Sequence, residues 1–417
     1  MRVLATIVVP PHMSVSGGAR AGELLSNALA THCEMTVASM MNGAGVTDCG
    51  GQGATRISVR SWLPPIAPWS RLSNRYSTLF YRSNIPEIVC DGRFDLVHIH
   101  NPMPALEMER VARACIKSRT PYVVSTHGFN EVANGAQIYG FDAARRLVWK
   151  TLVEAPVARV VARASGIFAL SAADFDIVRS MGYSGPELSI VTNGVPTPEP
   201  ASVESDALLL DRIGIPSAKV PGQTACMFLA NHTPNKGLPV LLDAFAKLER
   251  PYLLIIGGEK RADVDYESYV RGCRPGQKII VTGRLGDAEV GAALRRADLF
   301  VFPTLADTFP LVVLEAMAHG LPVLASRVGG IPHQLTDHCG VLVAPGDAAA
   351  LRAAVDRLAE QPERLAVMGR HARARAASNF SWAAAANEAA KAYRRILRLH
   401  SAPQGRQPVA QARGAAE

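Results

Sequence analysis

Two kinds of hydrophobic pattern alternate along the chain. Short continuous apolar runs recur at residues 2–9, 35–38, 55–59, 95–100, 122–126, 166–169 and 189–191. Runs of this length, bounded by turn residues, predict strands buried on both faces, as in a parallel sheet. Between them, apolar positions three and four apart predict helices over 19–31, 72–89, 105–117, 143–164 and 172–181. Residues 196–205 carry prolines after Thr192-Asn193-Gly194-Val195-Pro196 and make a hinge-like linker. A helix over 203–213 then opens a second unit with the same alternation. Its strands are 225–230, 252–257, 278–282, 299–302, 322–325 and 341–343, and its helices 238–248, 264–271, 287–296, 311–319 and 348–360. The pattern therefore predicts an α/β protein of two parallel-sheet domains, 1–195 and 196–380. A last helix over 382–399 follows, and 401–417 lacks apolar periodicity and is expected to be disordered.

The most informative stretch is 307–332, DTFPLVVLEAMAHGLPVLASRVGGIP. Asp307 and Thr308 stand where a helix N-cap belongs, Pro310 suits a first turn, and Gly320 closes the helix. Gly329 and Gly330 offer a loop able to approach a ligand closely. Glu315 is the one carboxylate in an otherwise apolar helix. One reading is a partly exposed side chain with a local partner. The other starts from cost, because an unpaired carboxylate there carries a desolvation penalty of about a few kcal/mol. A pair of ribose or sugar hydroxyls would satisfy both of its oxygens.

This stretch resembles the acid-x7-Glu motif of retaining glycosyltransferase family 4, a GT-B group with two Rossmann-like domains facing each other across a cleft. The resemblance implies that Glu315 binds the ribose of a nucleotide-sugar donor and Asp307 binds hydroxyls of the transferred sugar. Asp307 departs from the family's usual glutamate by one methylene. The implied donor site extends over Phe309, Pro310 and Leu311.

Other segments gain meaning beside it. Gly17 and Gly18 separate the first strand from its helix; a plain tight turn and an anion-facing loop both fit, and the resemblance favours the loop facing donor phosphate. The pair is not G-x-G-x-x-G, which counts against a nicotinamide dehydrogenase. His127 ends another strand, and the resemblance gives it a role at the transferred sugar, whereas His98 and His100 read as structural. Lys236 precedes a helix after the second domain's first strand and is placed to hold a diphosphate. The family usually adds an arginine five residues earlier, where this chain has Asn231. Arg284 lies in a loop resembling the one that borders the nucleotide base.

Composition narrows the setting. With 417 residues, 48% hydrophobic and 19% charged, the chain can build two sizeable cores. Its seven cysteines lack any C-x2-C pair, which argues against a zinc site or disulfide framework and for a reducing cytoplasm. A net charge of +8 suits nucleic acid, an anionic membrane or a phosphorylated substrate, and no nucleic-acid motif is present. Trp62, Trp69, Arg71, Arg75 and Arg82 make either a solvated face or a patch for anionic lipid on the inner face of the membrane.

The resemblance implies transfer with retention, without metal or cofactor, from a UDP- or GDP-sugar to a glycan or lipid-linked acceptor of polysaccharide or lipopolysaccharide biosynthesis. A GT-B epimerase and a non-catalytic nucleotide-sugar-binding subunit are the alternatives.

Overall fold

The computed structural model describes residues 1–10, 17–40, 53–65, 77–260 and 264–401. Two parallel sheets carry the fold. The first orders its strands β3-β2-β1-β6-β7-β8-β9: β1 is Arg2–Ile7, β2 Glu34–Ser39, β3 Thr55–Ile57, β6 Leu96–His100, β7 Tyr122–Ser125, β8 Gly166–Ala169 and β9 Leu188–Ile190. A short antiparallel pair, β4 (Ser61–Trp62) and β5 (Arg82–Ser83), stands apart from it. The second sheet runs β12-β11-β10-β13-β14-β15. Here β10 is Thr224–Leu229, β11 Tyr252–Gly257, β12 Gln277–Gly283, β13 Leu299–Phe302, β14 Val323–Ser326 and β15 Gly340–Val343.

Central strands such as β6, β7, β11 and β13 are buried along their whole length, which is why they read as unbroken apolar runs. In each sheet the order reverses beside the first strand, at β1/β6 and at β10/β13. Loops leaving the carboxyl ends of strands diverge there and open a crevice suited to ligands.

A proline corrects one predicted helix and stands beside a π-turn in another. In place of 72–89 the described part shows a 3-10 turn Thr78–Phe80, strand β5 and a helix Ile85–Asp91. Pro86 lacks the N–H a helix interior needs and stands in the first turn. Buried Glu107 fixes β5 by accepting from the Ser83 backbone N–H at 2.9 Å and hydroxyl at 2.7 Å. The helix expected over 143–164 becomes Ala143–Trp149, a π-turn Lys150–Glu154 and Ala155–Ala162, the turn falling just before Pro156. The hydrophobic pattern does not predict the helices Phe129–Ile138, Ile331–Gln334 and Pro362–Asn379. The first contains two asparagines and a glycine, and tertiary burial of Phe129 and Val132 overrides that weak propensity.

The helix Trp382–Ser401 lies on the first sheet. Its alanines 385, 386, 389, 390 and 392 are buried, and Arg395 holds Glu187 at 2.8 and 2.6 Å. The chain crosses back beside the linker, where the Val195 N–H donates to the Phe380 carbonyl at 2.8 Å. Among the described residues no helix is long and apolar enough to cross a membrane. Trp69, Arg71, Arg75, Ser16 and residues 402–417 lie outside the described residues. Of the tryptophan-arginine patch, Trp62 pairs with Arg82 across β4 and β5, and the Arg60 guanidinium sits 5.1 Å from the Trp62 ring centre.

Candidate active site

Loops at the two switch points meet across the domains, and the residues singled out above, Arg284 excepted, collect on or beside them. On the second domain, Pro234–Lys236 forms a 3-10 turn that ends at Gly237 with φ +70°. A Cβ on Gly237 would lie 1.8 Å from the Pro303 carbonyl oxygen, so only glycine lets this loop close onto the one after β13. The Thr304 hydroxyl donates to the Asn235 carbonyl at 2.8 Å, and the Asn235 amide donates to the Ala306 carbonyl at 3.3 Å. The product is an ion pair: Lys236 Nζ stands 2.6 Å from Asp307 Oδ2, with both side chains mostly buried. Asp307, one methylene short, thus reaches Lys236 instead of capping a helix. The helix Leu311–Ala318 begins after Pro310 with no side-chain cap, and the buried Thr308 hydroxyl has no partner among the described residues.

Gly329 and Gly330 approach the chain's own backbone rather than open space. A Cβ on Gly329 would sit 1.9 Å from the Asp307 carbonyl oxygen, and the Gly330 N–H donates to the Thr308 carbonyl at 2.6 Å. They fix the 307–309 loop from behind. From the first domain, the Asn130 amide donates to the Asp307 carbonyl at 3.2 Å and the Asn193 amide to the Phe309 carbonyl at 2.9 Å. The Phe309 ring packs inward on Phe380 at 5.9 Å, and Gln334 donates to the Pro310 carbonyl at 3.0 Å. Both carbonyls are thus engaged, the Phe309 ring is turned inward, and Pro310 has no N–H to give a ligand. Leu311 is half-buried at the helix start.

Glu315 projects from that helix with its side chain 18% exposed, and the nearest cation is Arg20 of the first domain, 3.8 Å away. Arg20 also faces Asp287 at 3.4 Å, so one guanidinium links the domains through two carboxylates. Burial lifts the Glu315 pKa above the usual carboxylate range; Arg20 works against the rise and Asp287 adds to it. No hydrogen-bond donor reaches this carboxylate among the described residues. Arg284 is exposed on the loop after β12, whose Gly283 carbonyl accepts from the Gly258 N–H at 2.8 Å. Among the described residues no hydrogen bond or ion pair draws Arg284 toward Lys236 or Glu315.

The first domain's wall is made by the helix Gly17–Leu29 and the ends of β6 and β7. Gly18 packs closely on Asn101 and His127: a Cβ there would stand 2.4 Å from Asn101 Nδ2 and 3.3 Å from His127 Cβ. His127 is buried, and desolvation pushes its pKa down to about 4, so it stands neutral at pH 7. It is a hydrogen-bonding group there, not a cation. His98 joins the Tyr393 hydroxyl at 2.6 Å and the Ser125 hydroxyl at 2.7 Å, tying the last helix to the sheet. Burial, helped by His127, lowers its pKa to about 3. His100 is enclosed by Gly22, His98 and His127. Both histidines fill a structural core role.

Sequence reasoning missed Arg20, Asn101, Asn130, Asn193 and Asp287. Their one-dimensional signals were slight: Arg20 falls two residues after Gly18, and Asn101 follows the last residue of β6. Among the described residues, no group of three or more histidine, cysteine or acidic side chains is arranged to hold a metal ion.

The family model described as glycosyl transferases group 1 matches residues 215–375, and that of glycosyltransferase family 4 matches residues 15–199. A D-inositol 3-phosphate glycosyltransferase of Streptomyces avermitilis is 30% identical over 325 residues, covering 74% of this chain and 67% of that protein. An MMP alpha-(1->4)-mannosyltransferase of Mycolicibacterium hassiacum is 30% identical over 235 residues, or 54% of this chain and 53% of that one. Among solved structures, sucrose-phosphate synthase from Thermosynechococcus elongatus superposes with a TM-score of 0.70 at 18% identity, covering 96% and 100% of the two chains. Anabaena HepE, solved with UDP-glucose, gives 0.66 at 19% identity, covering 94% and 98%. The architecture is that of the GT-B fold.

Proposed function

Since this chain belongs to the group 1 glycosyltransferases, we propose that it moves a sugar, with retention and without a metal ion or cofactor, from a nucleotide-diphosphate sugar to a glycan or lipid-linked acceptor. One observation carries the reading: Lys236, Asp307 and Glu315 lie on adjoining loops and one helix at the second switch point, opposite Gly18 and His127. In that order they suit the parts of a nucleotide sugar. Glu315 has unfilled oxygens for the two ribose hydroxyls. Lys236 supplies positive charge for the diphosphate, together with backbone N–H groups at the start of Leu311–Ala318 and of Gly17–Leu29.

Asp307 loses its lysine partner when the diphosphate claims that cation and becomes free to accept from a sugar hydroxyl. Neutral His127 adds a hydrogen bond on the far side of the sugar. Catalysis here consists of stabilising the departing diphosphate, a task for which a preorganised donor is worth about 3 kcal/mol. The acceptor would meet the sugar from the first domain. The proposed setting is the cytoplasm, at the inner membrane surface when the acceptor is lipid-linked.

The test is a thermal-shift and calorimetry screen against UDP-, GDP- and ADP-sugars, because a ligand that binds only the folded chain raises its apparent stability. The UDP-glucose complex of HepE makes the UDP series the first choice. A shift with one series, followed by transfer to a glycan or lipid acceptor, is expected. Donor turned into its epimer without an acceptor, or donor bound without any turnover, would overturn the reading.

A further inference from the structure

Asn101 carries two costs at once. It directly follows β6 with φ +69°, in the left-handed region that asparagine enters more readily than other residues with a Cβ but at a cost relative to glycine. It is also 7% exposed, and its Oδ1 accepts no hydrogen bond among the described residues. The turn by itself accepts glycine or asparagine, so the telling feature is the unpaired oxygen, because a residue serving only the packing would be apolar or fully paired. His100 beside it also has unpartnered ring nitrogens, but at 0% exposure it is sealed beneath the site. Asn101 keeps some exposure: its Oδ1 is enclosed as placed, and a half-turn of the amide exchanges that oxygen with Nδ2 beside Gly18. Its amide lies against Gly18 at the N-terminus of the 13-residue helix Gly17–Leu29, where a Cβ would come within 2.4 Å of Nδ2 and 3.3 Å of His127 Cβ.

The chemistry of the missing partner follows from the atom left unpaired. A carbonyl oxygen needs a donor, which excludes a bare phosphate oxygen. The neighbouring groups, a helix N-terminus and a neutral imidazole, do not favour a cation. A hydroxyl group satisfies all three. It also both donates and accepts, so it serves either orientation of the amide.

We propose that Asn101 is a substrate-binding residue whose side-chain amide takes a sugar hydroxyl, with Gly18 leaving the room for it. The proposal rests on the cleft being a nucleotide-sugar site and adds to it a contact from the first domain. The hydroxyl belongs either to the transferred sugar or to the acceptor that meets it.

Asn101→Gly and Asn101→Ala together test this. Glycine removes the amide and relieves the left-handed strain, so its Tm is expected within about 2 °C of the parent or above it. Alanine removes the amide and keeps the strain, so its Tm should fall. Calorimetry with UDP against UDP-glucose, and GDP against GDP-mannose, reads the sugar contact. If the hydroxyl is the donor's, both variants lose roughly 5- to 10-fold of the extra affinity for the sugar nucleotide while binding of the bare diphosphate stays unchanged. If it is the acceptor's, donor binding is kept and the KM for inositol phosphate or short α-glucan acceptors rises by a similar factor. An Asn101→Gly chain with wild-type sugar increment, KM and kcat overturns the proposal alone. Loss of sugar recognition only in the destabilised alanine variant overturns it too. A parent chain that binds neither UDP- nor GDP-sugars overturns the cleft reading along with it.

Discussion

Replacing Glu315 with glutamine should make the empty protein more stable and the donor complex weaker. The carboxylate is buried on an apolar helix, and its pKa is raised by burial despite Arg20. A raised carboxyl pKa means the folded state binds the proton more readily than the unfolded chain. The site then destabilises the fold above the folded pKa, and that penalty fades as pH falls through it. Arg20 is 48% exposed, so its attraction at 3.8 Å is discounted toward the aqueous value of about 1 kcal/mol. An unsatisfied buried acceptor costs about 1–3 kcal/mol. Glutamine removes the charge and keeps the shape, for a net gain of about 1 kcal/mol. For a domain of this size that is a rise of about 2–4 °C in Tm. With donor bound the sign reverses: hydrogen bonds to a charged acceptor contribute about 1.5–3 kcal/mol, so Kd should rise roughly 10- to 150-fold. Scanning calorimetry of the ligand-free chain and titration with the preferred nucleotide sugar give both numbers. A lower Tm, or donor affinity equal to wild type, would refute the assignment of Glu315.

Three further outcomes are expected. Lys236→Ala should lower the maximal rate roughly 10²- to 10³-fold in steady-state kinetics, and a near-normal rate would remove lysine from the diphosphate. Gly237→Ala, forced into φ +70° against the Pro303 carbonyl, should lose about 1–3 kcal/mol in denaturant melts and weaken donor binding by displacing Lys236; a neutral result would mean the loop rearranges freely. Stability should fall as pH drops below about 6.5. The unfolded imidazoles charge there, while His127 resists to about 4 and His98 to about 3, with His100 also held well below its ordinary value. With three protons involved, the slope approaches about 4 kcal/mol per pH unit; a Tm flat from pH 6.5 to 4.5 would contradict it.

Much of the architecture was legible because burial on both faces leaves a plain trace in one dimension. The apolar runs at 252–257 and 299–302 coincide with β11 and β13. Glu315 stood out for the same reason, a charge where the surrounding run permits none. The helix predicted over 72–89 is broken in its described part, 77–89, because Pro86 can begin a helix but not cross one.

The site's partners are another matter. That Asp307 turns to Lys236, 71 positions earlier, and that Arg20 reaches Glu315 across the domains, depends on how two sheets are set against each other. No local pattern encodes an ion pair between loops of different domains, because its energy exists only once both are placed. Asn101 shows the limit most clearly. The sequence supplies an asparagine after a strand, while its strain, its enclosure by Gly18 and its unfilled oxygen arise from neighbours far along the chain. Local hydrophobic order determined the strands and the crevice between them; tertiary packing alone decided which polar atoms were left open there.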